Sequence, residues 1–141
     1  MAALLQAEGC KLAWLDVSAN FITDAGAGAI AKALRTNTSL IYLDLHSCGI
    51  HDDGLKPISD MLQVNKSLEV LNLRANYIGD SGATDIAASI KANSTLKELN
   101  LHSNDFTRSG GDVLIKVLRD HVSIRSHGSQ GMGLEEACTI S

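Results

Sequence analysis

Residues 68–78 read LEVLNLRANYI, and this stretch decides the fold of the chain. Leu68, Leu71 and Leu73 are spaced to face one way, and the residues between them face the other way. The same pattern recurs three more times at a spacing of 28 residues, without insertion or deletion. The other copies carry Leu12, Leu15, Val17, Asn20 and Ile22; Leu40, Leu43, Leu45, Cys48 and Ile50; and Leu96, Leu99, Leu101, Asn104 and Phe106. Such regular recurrence indicates a repeat protein.

Each copy divides into two halves with different periods. In the first half apolar residues alternate, as in Leu43 and Leu45, which is typical of a short strand with one buried face. In the second half they recur four residues apart, as in Ile58 and Leu62, which indicates one apolar face of a helix. The sequence therefore predicts one strand and one helix per repeat.

The repeats set the predicted organisation of the chain. Residues 1–11 are expected to be the end of a partial repeat or an N-terminal cap helix. Four repeats follow, at residues 12–39, 40–67, 68–95 and 96–123. Beyond them His127 and Ser129 occupy places where core residues are required. Residues 124–141 are therefore expected to form an irregular C-terminal tail.

Three residue types recur at fixed places in the repeats: aspartates just before the helix, glycines two residues later, and asparagines in the turn after the helix. They are Asp24, Asp52 and Asp80; Gly26, Gly54, Gly82 and Gly110; and Asn37, Asn65 and Asn93. We expect the aspartates to accept hydrogen bonds from the unpaired N–H groups that begin their own helix. The glycines are expected to allow close backbone approach, and the asparagines to adopt the left-handed conformation after the helix.

The pattern L-x-x-L-x-L-x-x-N/C-x-L followed by an amphipathic helix resembles the leucine-rich repeat, specifically its ribonuclease-inhibitor-like subclass. The resemblance implies an α/β solenoid with a parallel β-sheet on its concave face and α-helices on its convex face. It also implies that Asn20, Asn76 and Asn104 satisfy backbone groups as a ladder, with Cys48 as a buried thiol in the same place. The family includes ribonuclease inhibitor, the activator of the Ran GTPase, sensing arrays of innate immune receptors, and ciliary or cytoskeletal proteins.

Composition argues against several classes of function. A net charge of −4 and a pI near 5.6 give no general attraction to nucleic acid or anionic membranes. Three cysteines without C-x-x-C spacing predict neither a disulfide framework nor a zinc site. An intracellular, cytoplasmic location without a cofactor is therefore expected.

Stacked strands turn sequence columns into surface stripes, since equivalent residues on neighbouring strands lie about 5 Å apart. The predicted partner-binding residues of the concave face are Trp14, Asp16, Tyr42, Asp44, His46, Asn72, Arg74, Glu98 and His102. Trp14 beside Tyr42 is the most binding-like pair, because exposed aromatic rings offer a large contact area at small entropic cost. His46 and His102 do not predict a metal site, since two strands separate them by about 10 Å.

The sequence therefore predicts a non-catalytic module that binds a protein partner through its concave face. Catalysis is not expected, because a flat and open face does not exclude water. One alternative is a structural segment or subunit of a larger repeat, ciliary or cytoskeletal assembly, with self-association through uncapped repeat ends. A second alternative is a regulator of a small GTPase, in which Arg74 is the available arginine.

Overall fold

The computed structural model describes residues 2–7 and 9–120 in full and residues 125–127 by their backbone. Helices and strands alternate along the chain. They are α1 (Ala2–Leu5), β1 (Trp14–Asp16), α2 (Thr23–Leu34), β2 (Tyr42–Asp44), α3 (Asp52–Leu62), β3 (Val70–Asn72), α4 (Asp80–Ala92), β4 (Glu98–Asn100), α5 (Arg108–Asp120) and β5 (Arg125–His127). The predicted strand and helix of every repeat are both present.

The five strands form one parallel sheet in the order β1-β2-β3-β4-β5. Pairing among β1, β2, β3 and β4 keeps the 28-residue register, so Leu15, Leu43, Leu71 and Leu99 lie side by side in one row. The pairing of β4 with β5 has a spacing of 27 residues, with Leu99 opposite Ser126. Consecutive helices pack on one another along the other layer. This architecture confirms the predicted α/β solenoid, with strands on the concave face and helices on the convex face.

The core lies between the two layers and consists mainly of the repeated leucines. Leu43, Leu71 and Leu99 of the strands have no exposed surface. Ile58 and Leu62 represent the helix positions that close the core from the other side, and both are buried. Because each repeat leaves an apolar face at both ends, neighbouring repeats stabilise one another.

The predicted asparagine ladder is confirmed where each strand turns away from the sheet. Asn76 Nδ2 donates to the carbonyls of Leu45 and Leu73, and its Oδ1 accepts from the N–H groups of Cys48 and Ile50. These bonds connect two repeats, so the amide fixes their spacing as well as the turn. Cys48 is buried and free, and its thiol lies 3.3 Å from the carbonyl oxygen of Val17.

The second set of asparagines has a different role from the one expected. The backbone of Asn93 is extended, with φ −95° and ψ 135°, so the prediction of a left-handed conformation was wrong. Its buried Nδ2 donates instead to the carbonyl of Leu62, the last residue of α3 in the preceding repeat. Asn65 makes the equivalent bond to Leu34, and Asn37 makes it to Leu5. Each amide thereby satisfies a carbonyl that helix termination leaves unpaired.

Left-handed backbone occurs in every repeat at the exit from the strand. Ala19, Ser47, Ala75 and Ser103 have φ between 53° and 56°. The N–H groups of the first three donate to carbonyls in the following repeat, at 2.8 to 3.0 Å. These bonds compensate for a conformation that non-glycine residues rarely adopt.

The repeated aspartates also act between repeats, which corrects the prediction that they cap their own helices. Helices α3 and α4 begin at Asp52 and Asp80 themselves, and the residues before them, His51 and Gly79, make no side-chain capping bond. Asp52 Oδ1 accepts instead from the N–H of Gly79, and Asp80 Oδ1 accepts from the N–H groups of Thr107 and Gly110. The carboxylate of one repeat therefore satisfies the beginning of the next helix.

The predicted close approach at the repeated glycines is confirmed. At Gly54, Gly82 and Gly110 the group that approaches is the aspartate of the preceding repeat. A Cβ atom at Gly82 would lie 2.5 Å from Asp52 Oδ1 and 2.9 Å from Leu55 Cδ2. A Cβ atom at Gly110 would meet Asp80 Oδ1 in the same way. At Gly82 and Gly110 the glycine is required because the carboxylate of the preceding repeat occupies the space beside it, whereas at Gly26 the side chain of Ile22 occupies that space.

The end of the described chain differs in part from expectation. Residues 124–141 are expected to be irregular, yet Arg125–His127 form β5, which pairs in parallel with β4. Main-chain hydrogen bonding extends the sheet without requiring leucine side chains, so the sequence pattern gave no signal for this strand. Residue 124 and residues 128–141 lie outside the described part of the chain.

Candidate protein-interaction face

The sheet brings the predicted site residues together in three rows on the concave face. One row contains Trp14, Tyr42, Val70 and Glu98, and a second contains Asp16, Asp44, Asn72 and Asn100. The third follows the strand ends and contains Ser18, His46, Arg74 and His102. Alternation along each strand places these side chains opposite the leucines of the core.

Trp14 and Tyr42 form the main exposed aromatic feature of this face. Their rings are stacked, with centroids 3.4 Å apart and planes inclined by 6°. Trp14 remains 62% exposed, because β1 is the first strand of the described sheet and no neighbour covers its outer side. The pair therefore presents a preordered aromatic platform at one edge of the sheet.

Asp44 is held beneath this platform rather than presented to solvent. Its Oδ2 accepts from the hydroxyl of Tyr42 at 3.0 Å and from Asn72 Nδ2 at 2.9 Å. Its Oδ1 accepts from the N–H of His46 at 2.8 Å. Burial of Tyr42 and the hydrogen bond from its hydroxyl to Asp44 raise the pKa of Tyr42 to about 12. The arrangement fixes the orientation of the tyrosine ring on which Trp14 stacks.

Asp16 is in the same row as Asp44 but remains exposed. Hydrogen bonds from the hydroxyl and the N–H of Ser18 lower its pKa. A carboxylate has about four acceptor positions, so positions remain for a donor from outside. The prediction that both aspartates contact a partner is therefore better suited to the exposed Asp16 than to the buried Asp44.

The remaining predicted residues lie further along the sheet. Arg74 is exposed, whereas His46, Asn72, Glu98 and His102 are half-buried. The face thus changes from aromatic and acidic at β1 and β2 to basic and polar around Arg74. Contact of these nine side chains with a partner stays a prediction.

Two features are absent from the residues that the structure describes, a cluster of metal-binding side chains and a helix that could span a membrane. Among residues 2–7 and 9–120, no group of three or more histidine, cysteine or acidic side chains is placed to hold a metal ion. Within the same ranges, no helix combines the length and apolarity needed to cross a bilayer.

The structure also contains an aromatic surface that the sequence analysis did not identify. Phe21 is 97% exposed and Tyr77 is 56% exposed, both in the loops between strand and helix. A cleft of about 240 Å³ lies between them, lined also by Ser47, Cys48 and Gly49. We call it the loop-edge cleft.

A signal for this cleft was present in the sequence. Phe21, Gly49 and Tyr77 occupy the same place in three successive repeats. The glycine between two aromatic residues leaves the space that they enclose. His51 stacks on Tyr77 at 4.9 Å between ring centroids, and its Nδ1 lies 3.4 Å from Asp24 Oδ2. The loop-edge cleft is thus supported by its own side-chain contacts.

Comparisons with known proteins agree with this architecture. A family model described as Leucine Rich repeat matches residues 36–59, 64–87 and 92–114, which together are half of the chain. The chain therefore belongs to the leucine-rich-repeat family. The ribonuclease-inhibitor-like subclass stays a prediction.

Two solved structures are similar to the whole solenoid. One is described as leiomodin-1 actin-binding site 2, with a TM-score of 0.82 and 21% identity, covering 96% of this chain and 80% of that chain. Another is the tropomodulin C-terminal domain of Caenorhabditis elegans, with a TM-score of 0.81 and 13% identity, covering 96% of this chain and 83% of that chain. A comparison with curated protein sequences gives no significant match. At these identities the likeness shows a shared fold.

Proposed function

We propose that this chain is a non-catalytic protein-interaction module that binds a partner through its concave face. The observation that carries the proposal is the stacked and exposed pair of Trp14 and Tyr42. Aromatic side chains that are held rigid before binding contribute contact area at little entropic cost, as residues at binding hot spots do. The rigid sheet and the buried Asp44 supply that rigidity.

Affinity capture with matched variants tests this proposal. The 141-residue chain is used as bait in a cytosolic extract under reducing conditions, in agreement with the intracellular location that we propose. Trp14→Ala/Tyr42→Ala is compared with Phe21→Ala/Tyr77→Ala, which removes two exposed aromatic residues from the loop-edge cleft instead. Partners captured by the unmodified chain are expected to be lost only with the first variant. Equal capture by the first variant, with folding verified by circular dichroism, would exclude the concave face.

A second candidate function is a subunit of a cytoskeletal assembly. Support comes from the likeness to the leiomodin-1 domain, whose description names actin binding. The identity of 21% does not transfer that partner to this chain, but it makes actin the first defined protein to test. Co-sedimentation with filamentous actin and native gel shift with monomeric actin address both forms. Absence of binding in both assays would remove actin and leave the general proposal in place.

Regulation of a small GTPase is the remaining alternative, and it depends on Arg74. This side chain is exposed in the middle of the concave face. A GTP hydrolysis assay with candidate small GTPases tests the idea directly. Stimulation that is lost with Arg74→Ala would support it, and no stimulation would end it.

A further inference from the structure

We propose that the edge of the concave face at Trp14 and Asp16 binds an arginine side chain of a basic segment in the protein partner. This inference rests on the proposed function and specifies the chemistry of the partner. It follows from the open face of the Trp14 indole, the position of the Asp16 carboxylate and the local charge.

The indole ring of Trp14 has one covered face and one open face. One of its faces is covered by Tyr42 at 3.4 Å, and the residue nevertheless keeps 62% of its surface exposed. The opposite face is therefore open to solvent at the edge of the sheet. The face of a tryptophan ring carries negative potential, and tryptophan is the best aromatic partner for a cation.

The Asp16 carboxylate lies on the same side of β1 as the indole ring of Trp14. Asp16 follows Trp14 by two residues on β1, so both side chains leave the same side of the strand about 7 Å apart. The planar guanidinium group of arginine stacks on an aromatic face and also forms directed hydrogen bonds with a carboxylate. Trp14 and Asp16 offer these two kinds of contact at a separation that one side chain spans.

The charge around Trp14 and Tyr42 is mainly negative. Asp44, Asp16 and Glu98 all act on the hydroxyl of Tyr42 in the same electrostatic sense, which shows that negative charge surrounds the aromatic pair. Asp44 is already occupied by three hydrogen bonds, whereas Asp16 is exposed. Of the basic side chains of this face, His46 acts on Asp16 electrostatically, and Arg74 lies two strands away from Asp16, about 10 Å along the sheet. The three carboxylates outnumber these two groups, so the edge remains acidic. A cation from a partner is therefore favoured over an anion.

The fluorescence of Trp14 provides a direct measurement, since it is the single tryptophan of the chain. The probes are acetylated and amidated peptides Gly-Arg-Arg-Gly, Gly-Lys-Lys-Gly and Gly-Cit-Cit-Gly, in which citrulline keeps the arginine shape without its charge. A fourth peptide, Gly-Leu-Leu-Gly, tests an apolar occupant. We expect saturable changes in fluorescence for the arginine peptide, weaker binding of the lysine peptide and at least about threefold weaker binding of the citrulline peptide.

Two variants locate the site. Asp16→Asn is expected to weaken the binding of the arginine peptide by about threefold, the size of an exposed ion pair, and to reduce the salt dependence of binding between 50 and 500 mM NaCl. Asp53→Asn, which removes an exposed charge from α3 on the opposite layer, is the matched control and should leave binding unchanged. Amide shifts in a nuclear magnetic resonance titration should be centred on residues 14–18 and 42–46.

Equal affinity for the arginine and citrulline peptides would overturn the inference, and so would tighter binding of the leucine peptide. Shifts centred on another surface would overturn it as well. If these peptide experiments fail while capture of a protein partner still requires Trp14 and Tyr42, the proposed function stands and only the arginine assignment is wrong. If capture is independent of both aromatic residues, the concave-face proposal itself is wrong.

Discussion

Asp80 accepts two hydrogen bonds from Thr107 in the next repeat, one from its N–H and one from its hydroxyl, each at 2.7 Å. Both bonds favour the ionised carboxylate, and they lower the pKa of Asp80 from its ordinary value of 3.8. A backbone N–H of the next repeat also donates to Asp24, from His51, and to Asp52, from Gly79. The aspartate column therefore fastens each repeat to the next one.

Acid should weaken this fastening. Because the pKa of Asp80 is lower in the folded state than in the unfolded state, the unfolded state binds more protons at low pH. The contribution of Asp80 is fully present above about pH 4 and is lost as the pH falls through the lowered value. Urea unfolding midpoints from pH 6 to pH 2.5 should fall less steeply for Asp80→Asn than for the unmodified chain.

A second variant separates the two bonds. Thr107→Val removes the hydroxyl donor but keeps the N–H donor, so its pH dependence should lie between those of the unmodified chain and Asp80→Asn. Identical slopes for all three proteins would show that Asp80 is not linked to stability through Thr107.

Enlargement of a glycine should be costly where the carboxylate of the preceding repeat lies beside it. Gly82→Ala places a Cβ atom 2.5 Å from Asp52 Oδ1 and 2.8 Å from Ile78 Cγ2, which should cost about 1–3 kcal/mol in the free energy of unfolding. Gly28→Ala is the matched control within α2, because its Cβ atom would meet only Pro57 Cγ at 3.6 Å. It should be neutral or stabilise by up to about 1 kcal/mol, the gain of alanine over glycine in a helix. Similar effects of both variants in urea unfolding would show that the contact between Gly82 and Asp52 does not limit the size of the side chain at position 82.

The asparagine ladder offers a comparison within one sequence column. Asn76 is buried and bonds to backbone groups of two repeats, and Asn76→Ala should cost about 2–3 kcal/mol because buried partners lose their hydrogen bonds. Asn20 is exposed and donates only to carbonyls of its own turn, so Asn20→Ala should cost less than about 1 kcal/mol. Thermal and urea unfolding provide both values. A reversed order would show that the cross-repeat bonds contribute little.

The aromatic stack should be measurable by a double-mutant cycle. Trp14→Ala, Tyr42→Ala and the double variant give the coupling free energy between the two rings, for which we expect about 0.5–1.5 kcal/mol. Trp14 is largely exposed, so its single replacement should leave the solenoid folded at room temperature. A coupling near zero would mean that the rings do not hold each other in place before a partner binds.

The fold was predictable because its determinants repeat. The period of 28 residues fixes which side chains share a row, so the neighbourhood of Trp14 and Tyr42 followed from numbering alone. The burial of Leu43 and Ile58 followed from periods of two and four residues. Register and hydrophobic pattern are local properties of sequence, and repetition makes them visible.

Contacts between repeats were less predictable. Asp52 and Asn65 were assigned to their own helices, yet they hydrogen-bond across the repeat boundary. A residue type that suits a helix end suits either of two neighbouring helices, and only the packing decides between them. The hydrogen bonds that Asp44 accepts likewise depend on the lengths and positions of the Tyr42 and Asn72 side chains, which the sequence alone does not specify.

Photo-cross-linking tests the central claim, the use of the concave face for partner binding, most directly. Val70 lies between Tyr42 and Glu98 in the first row of that face, and Lys91 is exposed on α4 in the opposite layer. Benzoylphenylalanine is placed at either position, and the chain is irradiated in a cytosolic extract under reducing conditions. We predict a discrete adduct from position 70 that Trp14→Ala/Tyr42→Ala abolishes, and none from position 91. Adducts that form preferentially from position 91, or none from position 70 while the chain still captures its partner, would contradict the account.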